Sequence, residues 1–154
     1  MQLDEFLHRQ HVPFRKLSHR PAYTANRIAQ ILHVPGREMA KSVLVRTPHG
    51  YLLAVLPATH RVDLNQLKQE LGEETVELAA EDEAEQLFAD CERGAMPPFG
   101  SMYKLPTVVD EALSKDEEIV FEGQTHEEAI RMRYQDYASI EHPRMGHFAT
   151  SVVH

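Results

Sequence analysis

The chain has no tryptophan, a single cysteine and no long apolar run. Each absence excludes something. One cysteine, Cys91, cannot close an internal disulfide, so nothing in the sequence asks for an oxidising compartment. Cys91 also lies in the acidic run DCERG, which disfavours a thiolate, and it reads as a structural residue and not as a nucleophile. No segment approaches the roughly 18 apolar residues of a membrane helix. The N-terminus, MQLDEFLHRQ, mixes charged with apolar residues and lacks the apolar centre of a secretory signal, so a cytoplasmic location and no membrane partner are expected. The common signatures of chemistry are missing too. There is no HExxH, CxxC, Walker loop, GxGxxG or GxSxG, and no serine has the partner pattern of a nucleophile. Ten histidines raise the question of metal, but His8 and His11 at i, i+3 are the nearest to a ligand pair and read as surface residues. Neither metal nor cofactor is expected.

What is present describes an ordinary globular domain. The 154 residues are 42% hydrophobic and 26% charged, enough for one core, and no linker-like run divides residues 1–154. The net charge of −8 argues at first against nucleic acid, but it is unevenly spread. Residues 1–69 hold ten Lys and Arg against four Asp and Glu, whereas residues 70–154 hold six against twenty. An acidic protein with one basic face is compatible with this pattern, as is a solvated mixed surface.

Apolar spacing sets out the elements. Leu3, Phe6 and Leu7 recur at helical spacing and Pro13 ends that helix. Phe14–Ser18 reads as a short strand, and Thr24 caps a helix over Ala25–Leu32. KSVLVRT (41–47) and the apolar YLLAVL (51–56) flank the turn Pro48-His49-Gly50, which predicts an antiparallel hairpin in mid-sheet. Asp63 caps a helix with Leu64, Leu67 and Leu71 core-facing, and Gly72 ends it. A short strand at 75–78, a helix at 82–88 and strands at 107–110, 118–122 and 129–134 follow, then a helix from Asp136 to Ile140. Strands joined partly by turns and partly by helices predict an α/β (mixed α+β) fold, with a central mixed, largely antiparallel sheet and helices packed around it.

Three features could carry chemistry. The loop GAMPPFG (94–100) cannot be helix or central strand, and a proline-stiffened loop with glycine at both ends can offer main-chain N–H groups to a carbonyl or oxyanion. Read alone, it is equally a plain connection. Lys41 opens an apolar strand, where it is either a point charge for phosphate or an exposed strand end. His126, in GQTHEEA, is either a ligand contact or a turn histidine with a local hydrogen bond.

Their order says more than any one of them. A lysine opens KSVLVRT; YLLAVLPATHRVDLNQL follows; then come GAMPPFG, EEIVFEG and QTHEEAIRMRYQDY. From about Ala25 to Tyr137 this succession resembles the YbaK/ProX family, which includes the editing domain inserted in bacterial prolyl-tRNA synthetases. The resemblance implies hydrolysis of the ester joining a wrong amino acid to tRNA, by a free-standing trans-editing enzyme. It implies that Lys41 meets the terminal adenosine phosphate. It implies that the G-x-x-x-P stretch Gly94, Ala95, Met96, Pro97 and Pro98 faces the aminoacyl group, with Phe99, Gly100 and Ser101 also in substrate binding and Pro97, Pro98, Phe99 and Met102 as candidates for a wall that excludes by size. His126, in the G-x-x-H turn after Gly123, joins Lys41 and Gly94 in the catalytic set, and the segment from Tyr23 and Thr24 closes over the substrate side chain. The implied partners are the 3′ acceptor end of an aminoacyl-tRNA and an aminoacyl-tRNA synthetase, with the chain a monomer or homodimer. Arg15, Lys16, Arg20, Arg37 and Arg46 are candidates for the acceptor stem. A non-catalytic module of the same fold, binding a small ligand, tRNA or a synthetase, is the alternative.

Overall fold

In the computed structural model, which describes residues 1–151, six helices surround strands that divide among three sheets. Helix α1 (Leu3–Arg9) leads to β1 (Arg15–Ser18) and α2 (Ala25–Leu32). The hairpin β2 (Ala40–Thr47) and β3 (Gly50–Pro57) continues into β4 (His60–Val62) and α3 (Leu64–Leu71). After β5 (Glu77–Leu78) and α4 (Glu81–Leu87) comes a long loop, then β6 (Thr107–Asp110) and the short α5 (Glu111–Ser114). β7 (Glu118–Glu122), β8 (Glu128–Arg133), α6 (Tyr134–Glu141), β9 (Arg144–Gly146) and β10 (Ala149–Ser151) complete the described chain.

The main sheet has the order β5-β2-β3-β6-β9. β2 pairs antiparallel with β3 and β5, whereas β3–β6 and β6–β9 are parallel. The expected mixed sheet is therefore present, with the predicted hairpin at its centre. β1, β8 and β7 form a separate antiparallel sheet, and β10 pairs with β4. A single parallel bridge, Met39 to Val120, ties the main sheet to the second one. That bridge matters for the site. Two residues further along each chain stand Lys41 and Glu122, so the bridge brings them abreast where the sheets diverge.

Three apolar clusters hold these layers together. The largest gathers Leu44, Leu53, Val55, Phe99, Phe121 and Tyr137. In it Phe99 meets Phe6, Phe121 and Tyr137 with ring centroids 5.5, 5.7 and 5.1 Å apart, at steep interplanar angles. Such edge-on pairs are worth about 0.5–1.5 kcal/mol each beyond area burial. Of the three leucines expected to anchor α3, only Leu67 is fully buried; Leu64 and Leu71 are half-buried, because one turn of this helix faces solvent.

The helix ends follow their side chains. Thr24 Oγ1 accepts from Arg27 N–H at 3.1 Å, and Asp63 accepts from Gln66 N–H at 3.1 Å. Thr24 lies at the mouth of the cleft described below, so this cap also sets the cleft's edge. Thr24→Ala is expected to cost about 1 kcal/mol and lower Tm by roughly 2–4 °C in thermal unfolding.

Candidate functional site

Five elements converge on a cleft of about 360 Å³, lined by Tyr23, Thr24, Ala25 and Asn26 before and at the start of α2, Lys41 and Ser42 in β2, Ala58, Gly94 and Glu122. Sequence separations of up to 99 residues are closed here by the meeting of two sheets and one loop. Lys41 is half-buried and makes no ion pair with a carboxylate among the described residues. Burial without a partner disfavours the ammonium and pulls its pKa below the ordinary lysine value. A desolvated cation that makes no ion pair among the described residues is suited to an external anion.

The second charged group is Glu122, at the end of β7. Burial pushes its carboxyl up to about 7, against the opposing pull of His126. His126 is itself 7% exposed. Its Nδ1 lies 3.2 Å from Glu122 Oε1, and its Nε2 meets the carbonyl oxygen of Arg93. A carbonyl can only accept, so Nε2 carries a hydrogen. Nδ1 then faces Glu122 Oε1, and the raised pKa of that carboxyl favours a protonated form able to donate to Nδ1. The His126 main-chain N–H donates to Glu92 Oε1 at 2.6 Å, and the Tyr23 ring packs 4.9 Å from the imidazole. His126 thus holds Glu92 and Arg93 and fixes the approach to Gly94. Both its ring nitrogens are engaged within the protein.

Gly94 is exposed with φ +82°, a conformation glycine adopts without strain. Its N–H has no protein acceptor among the described residues, nor has that of Met96. Other loop donors are engaged internally: Ala95 N–H bonds Glu92 O at 2.9 Å, Gly100 N–H bonds Thr107 Oγ1 at 3.0 Å, and Ser101 N–H bonds Glu141 at 3.1 Å. The N–H of Phe99 also lacks an acceptor among the described residues but lies in the buried core, so the donors of this loop that border a cavity are those of Gly94 and Met96.

The structure divides the residues singled out from sequence. Lys41, Gly94, Tyr23 and Thr24 meet in the cleft, and His126 stands directly behind it. Met96 lines a neighbouring apolar pocket. Ala95, Pro97, Pro98, Phe99 and Gly100 are buried away from the cleft. Phe99 is in the aromatic core, the Pro98 carbonyl accepts from Tyr137 Oη at 2.8 Å, and Ser101 Oγ donates to Glu141 at 2.6 Å. Gly123 borders a small recess beside Leu3 and Lys16. The loop's second glycine answers to packing, since a Cβ on Gly100 would stand 2.7 Å from the Leu105 carbonyl oxygen. Glu122 was not singled out from sequence. Its only signal is position, four residues before His126 and at the end of an apolar strand. Among the basic residues considered for an acceptor stem, Lys16, Arg37 and Arg46 are held by carboxylates. Arg15 and Arg20 make no ion pair among the described residues, nor does Arg27 in the first turn of α2. Among the described residues, no three His, Cys, Asp or Glu side chains group as metal ligands, and no helix is long and apolar enough to cross a membrane.

A mixed α+β domain thus brings a half-buried lysine, Gly94 and Glu122 to one cleft, with His126 behind it. The sequence pattern of the aminoacyl-tRNA editing domain matches residues 19–140, and the chain belongs to that family. Solved structures share the fold. A hypothetical protein superposes with a TM-score of 0.89 at 20% identity, covering 97% of this chain and 100% of the other. A protein described as a proposed trans-editing enzyme for prolyl tRNA synthetase superposes with a TM-score of 0.80 at 20% identity, covering 90% and 87%. A proline--tRNA ligase of Thermosipho africanus (strain TCF52B) is 28% identical over 67 residues, or 44% of this chain. The aligned part spans 11% of the length of that relative.

Proposed function

We propose that this domain is a trans-editing hydrolase that deacylates mischarged aminoacyl-tRNA. The observation that carries the reading is that, among the described residues, Lys41 makes no ion pair and the Gly94 N–H has no acceptor, and that both residues line one cleft in a chain matched by an editing-domain family. The terminal adenosine enters with a phosphate against Lys41 and its ester carbonyl against Gly94. Water adds to the carbonyl carbon, and the Gly94 N–H donates a hydrogen bond to the developing oxyanion, stabilising the tetrahedral intermediate. The ester C–O bond then breaks. The ribose oxygen leaves with a proton, giving free amino acid and tRNA. The ribose hydroxyl beside the ester is the proton relay. His126 and Glu122 are positioning residues: they hold Arg93, and through it the orientation of Gly94. Arg20 and Arg27, near in sequence to the Tyr23–Asn26 edge and without an ion pair among the described residues, would meet the acceptor strand. The test is a deacylation panel on tRNA carrying non-cognate amino acids. Turnover of at least one mischarged tRNA is expected, and none on any would remove the enzyme reading in favour of a binding module.

The positioning pair predicts a pH dependence of stability. The folded carboxyl of Glu122 holds its proton more tightly than the unfolded one, whose ordinary value is 4.5. Its contribution is therefore complete below about pH 4.5 and is lost as pH rises through about 7. Glu122→Gln keeps a donor to Nδ1 but cannot ionise. The variant should lose this part of the Tm decline between pH 4.5 and 7 and retain turnover within about tenfold, whereas His126→Ala should lose turnover because Arg93 is released. A Tm–pH curve of Glu122→Gln identical to wild type would remove Glu122 from the pair.

A further inference from the structure

The turn between β7 and β8 does more than present His126. Its second residue, Gln124, is 4% exposed and lies at φ +76°, in the left-handed region that L-residues enter at a cost. Such a conformation persists where the surroundings over-determine it, and the side chain shows what does so. Oε1 accepts the Leu3 N–H at 2.9 Å, one of the donors left unpaired at the start of α1. Nε2 donates to Tyr103 Oη at 3.1 Å and to Asp90 Oδ2 at 3.3 Å. Tyr103 Oη in turn donates to Asp90 Oδ1 at 2.9 Å. The amide has one orientation here, because the Leu3 N–H needs an acceptor and the Asp90 carboxylate a donor.

The main chain of Gln124 adds a further hold, its carbonyl accepting the Glu92 N–H at 2.8 Å. Two residues on, His126 binds Glu92 Oε1 through its N–H and the Arg93 carbonyl through its ring. The segment Asp90–Arg93 is therefore clamped to one turn, by Gln124 at its far end and by His126 next to Gly94. Gln124 alone of the two also reaches α1, which makes the start of that helix the fixed point of the clamp.

We propose that Gln124 is a positioning residue for deacylation: by bridging the start of α1 to Asp90 and Tyr103 and by holding Glu92, it fixes the segment that aims the Gly94 N–H. This rests on the reading of Gly94 as the oxyanion donor. A misplacement of about 1 Å at a reacting group costs about 100-fold in rate. Gln124 does not itself line the cleft, so the loss belongs in kcat, with KM within about threefold of wild type.

Gln124→Glu tests this, because it keeps size and the acceptor for Leu3 but turns the donor toward Asp90 into a second acceptor. Ionised, the new carboxylate opposes Asp90; protonated, it donates as the amide did. Burial beside a carboxylate raises its pKa. The other titratable groups around it are the Tyr103 hydroxyl with the Cys91 thiol against it, the Met1 ammonium 3.7 Å from Asp90, and Asp4, Lys16 and Glu128 around the recess at Gly123. The kcat of Gln124→Glu should be about 100-fold below wild type at about pH 8 and within about tenfold at about pH 5. Expressing it as a ratio to wild type removes titrations the two proteins share, that of Glu122 included. Gln124→Glu/Asp90→Asn exchanges donor and acceptor and should recover most of kcat at the higher pH. A side chain that merely fills space would show neither the pH dependence nor the recovery. Gln124→Gly serves if Gln124→Glu does not fold, since glycine suits the left-handed φ while deleting the bridge, and the same loss of kcat at constant KM is expected. Unchanged kcat, a loss independent of pH, or no recovery in the double variant overturns the assignment and leaves the deacylase reading standing. Amide hydrogen exchange over residues 90–96 reads the clamp without turnover: faster exchange in Gln124→Glu, reversed in the double variant, supports it, and equal exchange overturns it. A wild type inactive on every mischarged tRNA rejects the deacylase reading, and with it the catalytic part of this assignment.

Discussion

Lys41→Ala should lower kcat/KM for deacylation by roughly 100-fold and leave the protein as stable as before. Two different balances make this expectation. A hydrogen bond to a charged group contributes about 1.5–3 kcal/mol, and 1.4 kcal/mol is a factor of ten. Losing the ammonium from a phosphate therefore costs about one to two powers of ten. In the free protein the same ammonium has no carboxylate partner among the described residues and is penalised by burial. Removing it relieves that penalty, so Tm should hold or rise. A lysine with a structural ion pair would behave in the opposite way. Salt gives an independent reading. Each phosphate contact to a single strand contributes about 0.7 to the slope of log affinity against log salt, so the variant should show a slope flatter by about that amount. Lys41→Arg restores charge but not shape, since a guanidinium is a flat fork on a longer stem, and partial recovery is expected. Equal turnover of wild type and Lys41→Ala at every salt concentration would exclude Lys41 from substrate binding.

Much of this site was legible before any coordinates, and the part that was not has a physical cause. Lys41, Gly94 and His126 were marked by order along the chain, and the cleft unites the first two, with the third directly behind. The capping residues Thr24 and Asp63 were legible because a cap is a local hydrogen bond, three residues in reach. The GAMPPFG loop was legible as irregular but not as divided. Whether a proline or phenylalanine faces a ligand or the core depends on what packs against it, and Phe99 meets Phe6 and Tyr137, far off in sequence. Glu122 was invisible for the same reason. Its carboxyl is perturbed by burial and by His126, both products of the tertiary fold. The charge asymmetry between the two halves of the chain is partly cancelled by the fold. Arg46 meets Glu77 and Glu83, and Arg37 meets Asp116, so acidic residues from the second half neutralise part of the first. β4, β9 and β10 are three residues each, too short to establish the alternation by which strands are recognised.

Gly94→Ala should reduce kcat by about 100- to 1000-fold while KM changes little, and it should do so for a reason that Gly100→Ala does not share. At φ +82° an L-residue pays about 1–2 kcal/mol. The added methyl itself meets nothing closer than His126 Cε1 at 3.8 Å, an ordinary contact. The damage is therefore backbone strain, and the chain relieves it by rotating the Gly94 peptide, the proposed donor. Removing one well-placed oxyanion donor costs about 10²–10³ in kcat. The donor acts mainly on the charge that develops as water adds, so ground-state binding through Lys41 should survive. Tm should fall by roughly 2–6 °C, from strain at an exposed position. Gly100→Ala drives a Cβ to 2.7 Å from the Leu105 carbonyl oxygen beside the buried Thr107. That clash lies in backbone that cannot yield, so stability and activity should fall together there. Steady-state kinetics beside thermal unfolding of the two variants separates the cases. If Gly94→Ala retained full kcat, the backbone donor would have to be sought at Met96, and if it lost kcat only in proportion to folded protein, the loop would be a scaffold without a part in the reaction.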